Sequence, residues 1–101
     1  MERLKMTIKD TYDIFMRNRS VYCSPETLRS YEGHLKVFFD YLQTVGGRDI
    51  EQLSFDNFKD TALFGDFIIY LRKKNIRNVT IRSYCRIAKA YLRYCYQNDL
   101  C

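Results

Sequence analysis

The sequence predicts an all-α domain of four helices. Three observations carry that expectation. Apolar residues recur at spacings of three and four in four separate segments, and no period-two alternation runs long enough for a strand. Strong start and stop signals separate the segments, above all Ser24-Pro25 and Gly46-Gly47. With 101 residues, 47% of them hydrophobic, the chain can bury one core without covalent staples. A single proline and four glycines argue against disorder. One domain spanning residues 1–101 is therefore expected.

The first helix is capped by Thr7, with Asp10 three residues later in the capping-box position. Ile8, Tyr12, Phe15 and Met16 form its apolar stripe, and Asn18 and Ser20 predict its end. The second helix has the clearest start. Ser24 is the N-cap, Pro25 takes the first helical position, and Glu26 suits the positive end of the helix dipole. Leu28, Tyr31, Leu35, Phe38, Leu42 and Val45 are its expected inward residues, and Gly46-Gly47 its stop. Residues 48–60 are a connector with a short helical turn started by Ser54.

A third helix is expected from Ala62 to Lys74, with Phe64, Phe67, Ile68 and Leu71 inward. Ile69 and Tyr70 widen that stripe, which predicts the most enclosed helix of the four. Asn78 is the candidate cap of the fourth helix. Ile81, Tyr84, Ala88, Tyr91, Leu92 and Cys95 face inward, with fraying near Gln97–Asp99. The long second and fourth helices form the principal pair. Of the nine tyrosines, Tyr94 and Tyr96 are expected to be the exposed ones.

No apolar run approaches the ~20 residues of a membrane span, and MERLKMTIKD lacks the apolar segment of a signal peptide. A soluble, cytoplasmic protein is expected. Cys23, Cys85, Cys95 and Cys101 make no C-x-x-C pair, and His34, the lone histidine, stands at no ligand spacing from them. Free thiols are expected, with no disulfide, metal or cofactor.

The net charge of +5 is localised. Residues 72–93 hold Arg72, Lys73, Lys74, Arg77, Arg82, Arg86, Lys89 and Arg93 and no acid, so the remainder carries nine basic against twelve acidic residues. A charge that concentrated favours a polyanionic partner.

A short echo refines this. TLRSY, from Thr27 to Tyr31, returns as TIRSY from Thr80 to Tyr84, and aligning them puts the two long helices in register. At ~100° per residue, Leu28, Tyr31, Leu35, Phe38 and Leu42 fall on one arc, as do Ile81, Tyr84, Ala88, Tyr91 and Cys95. Arg82, Arg86, Lys89 and Arg93 fall within about 60° of one another on the opposite side. Four like charges with no acid at i±3 or i±4 repel one another, so folding gains nothing from them. A polyanion would, through counterion release. The matching stripe on the second helix reads Arg29, Gly33, Lys36, Asp40, a weaker copy. Gly33 is open to two readings, close approach by a partner or a tolerated surface glycine. Ser30 and Ser83 lie beside the stripes and can donate hydrogen bonds to phosphate or base edges. Helices with basic outer faces suit the major groove of duplex DNA.

The order of elements then resembles a known family. Ser24-Pro25-Glu26-Thr27 followed by Tyr31, Leu35, Phe38 and Tyr41-Leu42, then DFIIYLRKKN, then NVTIRSY leading into AKAYLRYC, looks like the N-terminal core-binding domain of tyrosine recombinases, the phage-integrase and conjugative-transposon enzymes. The resemblance covers about Thr7 to Asp99. It implies a SAM-like bundle of two crossed helical hairpins, with the second and fourth helices in the major groove beside the strand-exchange site.

By position it points to Arg29, Ser30, Gly33 and Lys36, and to Arg82, Ser83, Arg86, Lys89 and Arg93. Thr27 and Thr80 of the echo, and Lys73, Lys74 and Arg77 of the basic block, complete the candidate DNA-contacting set. It also implies other recombinase protomers on the DNA, a prokaryotic setting, and a non-catalytic chain that is monomeric in isolation. The family's nucleophilic tyrosine with its Arg, Lys and His partners belongs to a C-terminal catalytic domain expected beyond residue 101. No tyrosine here pairs with such a cluster. Asp40 departs from the pattern at a stripe position. The alternative is a helical protein-interaction module with a basic docking face, in which Tyr94 and Tyr96 take part.

Overall fold

The computed structural model describes residues 6–58 and 62–100. Its elements are α1 (Ile8–Tyr22), α2 (Pro25–Gly46), a 3-10 turn (Phe55–Asn57), α3 (Leu63–Lys73) and α4 (Asn78–Gln97). Among the described residues there is no strand.

The capping box of α1 forms as its sequence requires: Thr7 Oγ1 accepts from the Asp10 N–H at 3.2 Å, and Asp10 Oδ2 accepts from the Thr7 N–H at 3.1 Å. The connector supplies two more partners for this end. The Ile8 N–H donates to the Leu53 carbonyl at 2.7 Å, and the Lys9 N–H to the Ile50 carbonyl at 3.1 Å. At the other end α1 passes the expected stop and continues to Tyr22. Asn18 and Ser20 do not break it, because Asn18 Oδ1 accepts from Arg19 and Ser20 Oγ donates to the Arg17 carbonyl. The break comes at Cys23, which is extended with ψ 150°, immediately before the Ser24-Pro25 start of α2.

Ser24 caps α2 through the Thr27 N–H, and Gly47 closes it in the left-handed region at φ 69°. Of the expected inward residues, Leu35, Phe38 and Leu42 are buried and Leu28 and Tyr31 half-buried, whereas Val45 is 58% exposed. In that last turn the neighbour is Gly46, against which Leu53 and Phe58 pack, and Val45 faces away. The Ile50 N–H donates to Gln43 Oε1 at 3.0 Å and ties the connector back to α2. Ser54 starts the expected turn.

The third helix is less enclosed than its composition predicts. It buries only Phe67 and Leu71, while α4 buries six residues, so α3 is not the most enclosed helix. It packs along one side only and leaves Ile69 51% exposed. Its end is sharper than Lys73-Lys74 alone dictates. Asn75 adopts φ 62°, the Asn75 N–H donates to the Arg72 carbonyl and the Ile76 N–H to the Leu71 carbonyl, a Schellman closure. That closure delivers Arg77, extended at ψ 147°, as the N-cap position of α4, and Asn78 becomes its first helical residue without a capping bond. The C-terminus of α4 falls at Gln97, in the expected stretch, and is closed by hydrogen bonds. Asp99 at φ 55° and the Leu100 N–H bonded to the Cys95 carbonyl at 2.8 Å repeat the same closure.

The centre of the core is Tyr91, fully buried on α4. Phe15 and Phe39 present ring edges to it at 5.4 and 5.5 Å. Its hydroxyl meets Thr11 Oγ1 and lies 3.2 Å from the Ile8 carbonyl, so the buried oxygens of α1 and α4 satisfy one another. On the other flank Phe67 of α3 sits against Phe38 and Tyr41 of α2. Residues from α1 to α4 thus meet around the apolar arc of α2, which leaves the outer faces of α2 and α4 uncovered.

Candidate nucleic-acid interface

The outer face of α4 is where the charge collects. Arg82, Arg86, Lys89 and Arg93 are all exposed, and among the described residues no acid pairs with any of them. The periodicity of α4 forces this, because Ala88, Tyr91 and Cys95 occupy the opposite arc and are fully buried. The stripe is not uniform. Lys89 leans toward α3, its Nζ lying 5.5 Å from the centre of the Phe64 ring. Between α3 and α4 an open hollow of about 420 Å³ is lined by Ile68, Ile81, Arg82, Cys85, Arg86 and Lys89. Burial pushes the Cys85 thiol above its ordinary range, with the Lys89 charge acting weakly the other way.

The α2 copy of the stripe differs in more than sequence. Arg29, Ser30, Gly33 and Lys36 are exposed. Lys36 borders a second hollow, between α1 and α2, together with Lys9, Tyr12, Glu32, Asp40 and Gln43. Glu32 and Asp40 stand one turn either side of Lys36, so its field is partly cancelled where that of α4 is not. Burial, assisted by Glu32, holds the Tyr12 phenol above its ordinary range.

The remaining candidates divide by what their side chains already do. The Thr27 hydroxyl accepts from Ser24 Oγ at 3.1 Å and belongs to the α2 cap. Thr80 is half-buried, and half-buried Ser83 donates to the Val79 carbonyl at 3.3 Å. Lys73, Lys74 and Arg77 are exposed on the α3–α4 turn, where Lys74 Nζ lies 4.5 Å from the Tyr70 ring centre. Tyr96 is 78% exposed as expected. Tyr94 is not: it is half-buried, with its ring against Phe15 at 5.5 Å and the Arg19 guanidinium 5.9 Å from its centre.

His34 adds a contact on this surface that its position in the sequence does not announce. His34 is half-buried on α2, its ring edge-on to Tyr84 of α4 at 5.0 Å. Its Nδ1 lies 2.7 Å from the Ser30 carbonyl, the distance of a donated N–H. The two echo helices therefore touch at His34 and Tyr84, with Ser30 one turn before the contact and Ser83 beside it. The only prior signal was the position of His34 on the flank of the α2 apolar arc.

Fold and surface together define an all-α domain in which two long helices share one core and the last presents an exposed cationic face. A family model described as the phage integrase SAM-like domain matches residues 7–101. The chain belongs to that family, as a SAM-like domain of a tyrosine recombinase or integrase. Comparison with curated proteins, and with solved structures, gives no match. Among the described residues there is no cluster able to hold a metal ion, and no helix is long and apolar enough to cross a membrane.

Proposed function

We propose that this domain binds duplex DNA and positions its recombinase on the core recombination site, taking no part itself in strand transfer. The observation that carries the reading is the α4 stripe: four exposed cations with no acid among the described residues to relieve them. Arg82, Arg86, Lys89 and Arg93 contact phosphates and the major-groove edge, and each phosphate contact gains by counterion release. Lys73, Lys74 and Arg77 extend the positive field along the α3–α4 turn. Arg29, Ser30, Gly33 and Lys36 of α2 form the weaker arm, since Glu32 and Asp40 oppose Lys36. Other protomers of the parent enzyme occupy the same DNA. The family assignment supports this reading independently of the charge argument.

Salt dependence is the test. Duplex DNA is titrated into the native chain and into Arg86→Ala/Lys89→Ala between 50 and 200 mM salt. Two lost phosphate contacts lower the slope of log K against log salt by about 1.8. Affinity then falls about tenfold less than native over the fourfold rise in salt. An unchanged slope overturns the assignment of the stripe.

A further inference from the structure

The hollow between α3 and α4 is not explained by phosphate binding. Its rim carries Arg82, Arg86 and Lys89, while its floor is Ile68, Ile81 and Cys85, and among the described residues no acid lines it. We propose that this hollow docks an acidic protein segment, one that places a bulky aliphatic side chain one turn away from its carboxylates. The inference goes beyond DNA binding and stands without it, although the two readings share three cations.

Rim and floor together choose that occupant. Phosphates engaging Arg82, Arg86 and Lys89 satisfy the rim and leave half-buried Ile68 in contact with water. An amphipathic segment meets both demands: its carboxylates pair with the rim, and its aliphatic side chain displaces water from half-buried Ile68, above buried Ile81. Ile81 and Cys85 are buried and held by the core, so the floor is preformed, whereas half-buried Ile68 is the wall that a partner completes. Arg72, exposed one turn beyond Ile68 on α3, adds a further cation near the same groove. Such a segment competes with duplex DNA for Arg82, Arg86 and Lys89, which makes the groove a place where a partner protein can displace the domain from DNA.

The experiment uses the whole chain with its isoleucine methyl groups labelled. Three helical peptides are titrated: one with leucines flanked by glutamates, the same peptide with every Glu replaced by Gln, and the same with every Leu replaced by Ser. A 20-base-pair duplex is titrated in parallel. The expected result is that the Glu/Leu peptide shifts the Ile68 and Ile81 methyls and binds at least tenfold more tightly than either control. Ile68→Ser then weakens the peptide at least fivefold and leaves the duplex within twofold.

The proposal is overturned if the Ser peptide binds as well as the Leu peptide, since that is attraction to any polyanion. It is overturned equally if the duplex shifts the same methyls and loses as much on Ile68→Ser, which makes the hollow part of the DNA face. The peptide comparison is made on the native chain, so the test stands even if Ile68→Ser fails to fold. Peptide binding without duplex binding sinks the DNA reading alone.

Discussion

Gly33 separates the two meanings a glycine can have in the middle of a helix. It lies on the outer face of α2, exposed, and a Cβ added there meets no atom within 4 Å. Its φ is not in the left-handed region, which among the described glycines only Gly47 occupies. Nothing within the fold requires glycine at this position, so Gly33→Ala should recover most of the helix-propensity difference, about 1 kcal/mol. For a domain of this size, that corresponds to a rise of roughly 4–8 °C in Tm.

Thermal and urea denaturation followed by far-ultraviolet circular dichroism measure the effect, with the urea m-value expected to stay constant. A midpoint that stays put or falls would refute the placement of Gly33 on an open face. The second readout is affinity for duplex DNA. If the duplex seats against α2 at this point, the added methyl overpacks the contact by about 1 kcal/mol, or roughly fivefold in Kd. A variant that is more stable yet binds more weakly identifies Gly33 as a point of close approach. Unchanged affinity removes Gly33 from the interface.

Gly46 makes the opposite case. Its added Cβ would lie 2.8 Å from Leu53 Cδ2 and 3.2 Å from Phe58 Cζ, and Leu53 is fully buried, so Gly46→Ala should destabilise despite its better helix propensity. A net loss of about 1 kcal/mol in urea denaturation is expected, and a gain would show that Leu53 moves freely. Tyr91→Phe should cost about 1 kcal/mol, because it removes the hydroxyl shared with Thr11 and the Ile8 carbonyl. Pairing it with Thr11→Val in a double-mutant cycle should give non-additive losses, and strict additivity would deny the contact.

Stability should also fall as pH rises above about 9. Burial holds the Cys85 thiol above its usual 9.0, burial and Glu32 hold Tyr12 above 10.0, and the bond to Asp13 holds Lys9 above 10.5. In each case the folded state keeps a proton that the unfolded state gives up, so raising the pH favours unfolding. Cys85→Ala should flatten the first part of that decline in urea midpoints measured from pH 8 to 10. A curve parallel to native would contradict it.

Much of the architecture was legible because local chemistry dictates it. Ser24-Pro25 favours a helix start, Gly47 takes the left-handed turn without strain, and Thr7 with Asp10 closes a capping box wherever a helix follows. The opposition of apolar arc and cationic stripe on α4 follows from periodicity alone. Termination by residues other than glycine was harder to see. Asn75 and Asp99 close α3 and α4 from left-handed conformations, and only the burial of Ile76 and Leu100 after them selects that ending.

The sequence by itself determined four amphipathic segments, the starts of the first two, and a net positive charge concentrated in residues 72–93. Those properties are local, set by side-chain spacing and by which backbone groups a neighbour can satisfy. What surrounds each segment was decided by tertiary structure. It left α3 half-open where its composition suggested enclosure, drew Tyr94 in against Phe15 and Arg19, and packed His34 on Tyr84. It also set Ile68 beside Ile81 beneath three cations. Burial and the fields of neighbouring charges depend on residues far apart in the chain, and no window of sequence contains them.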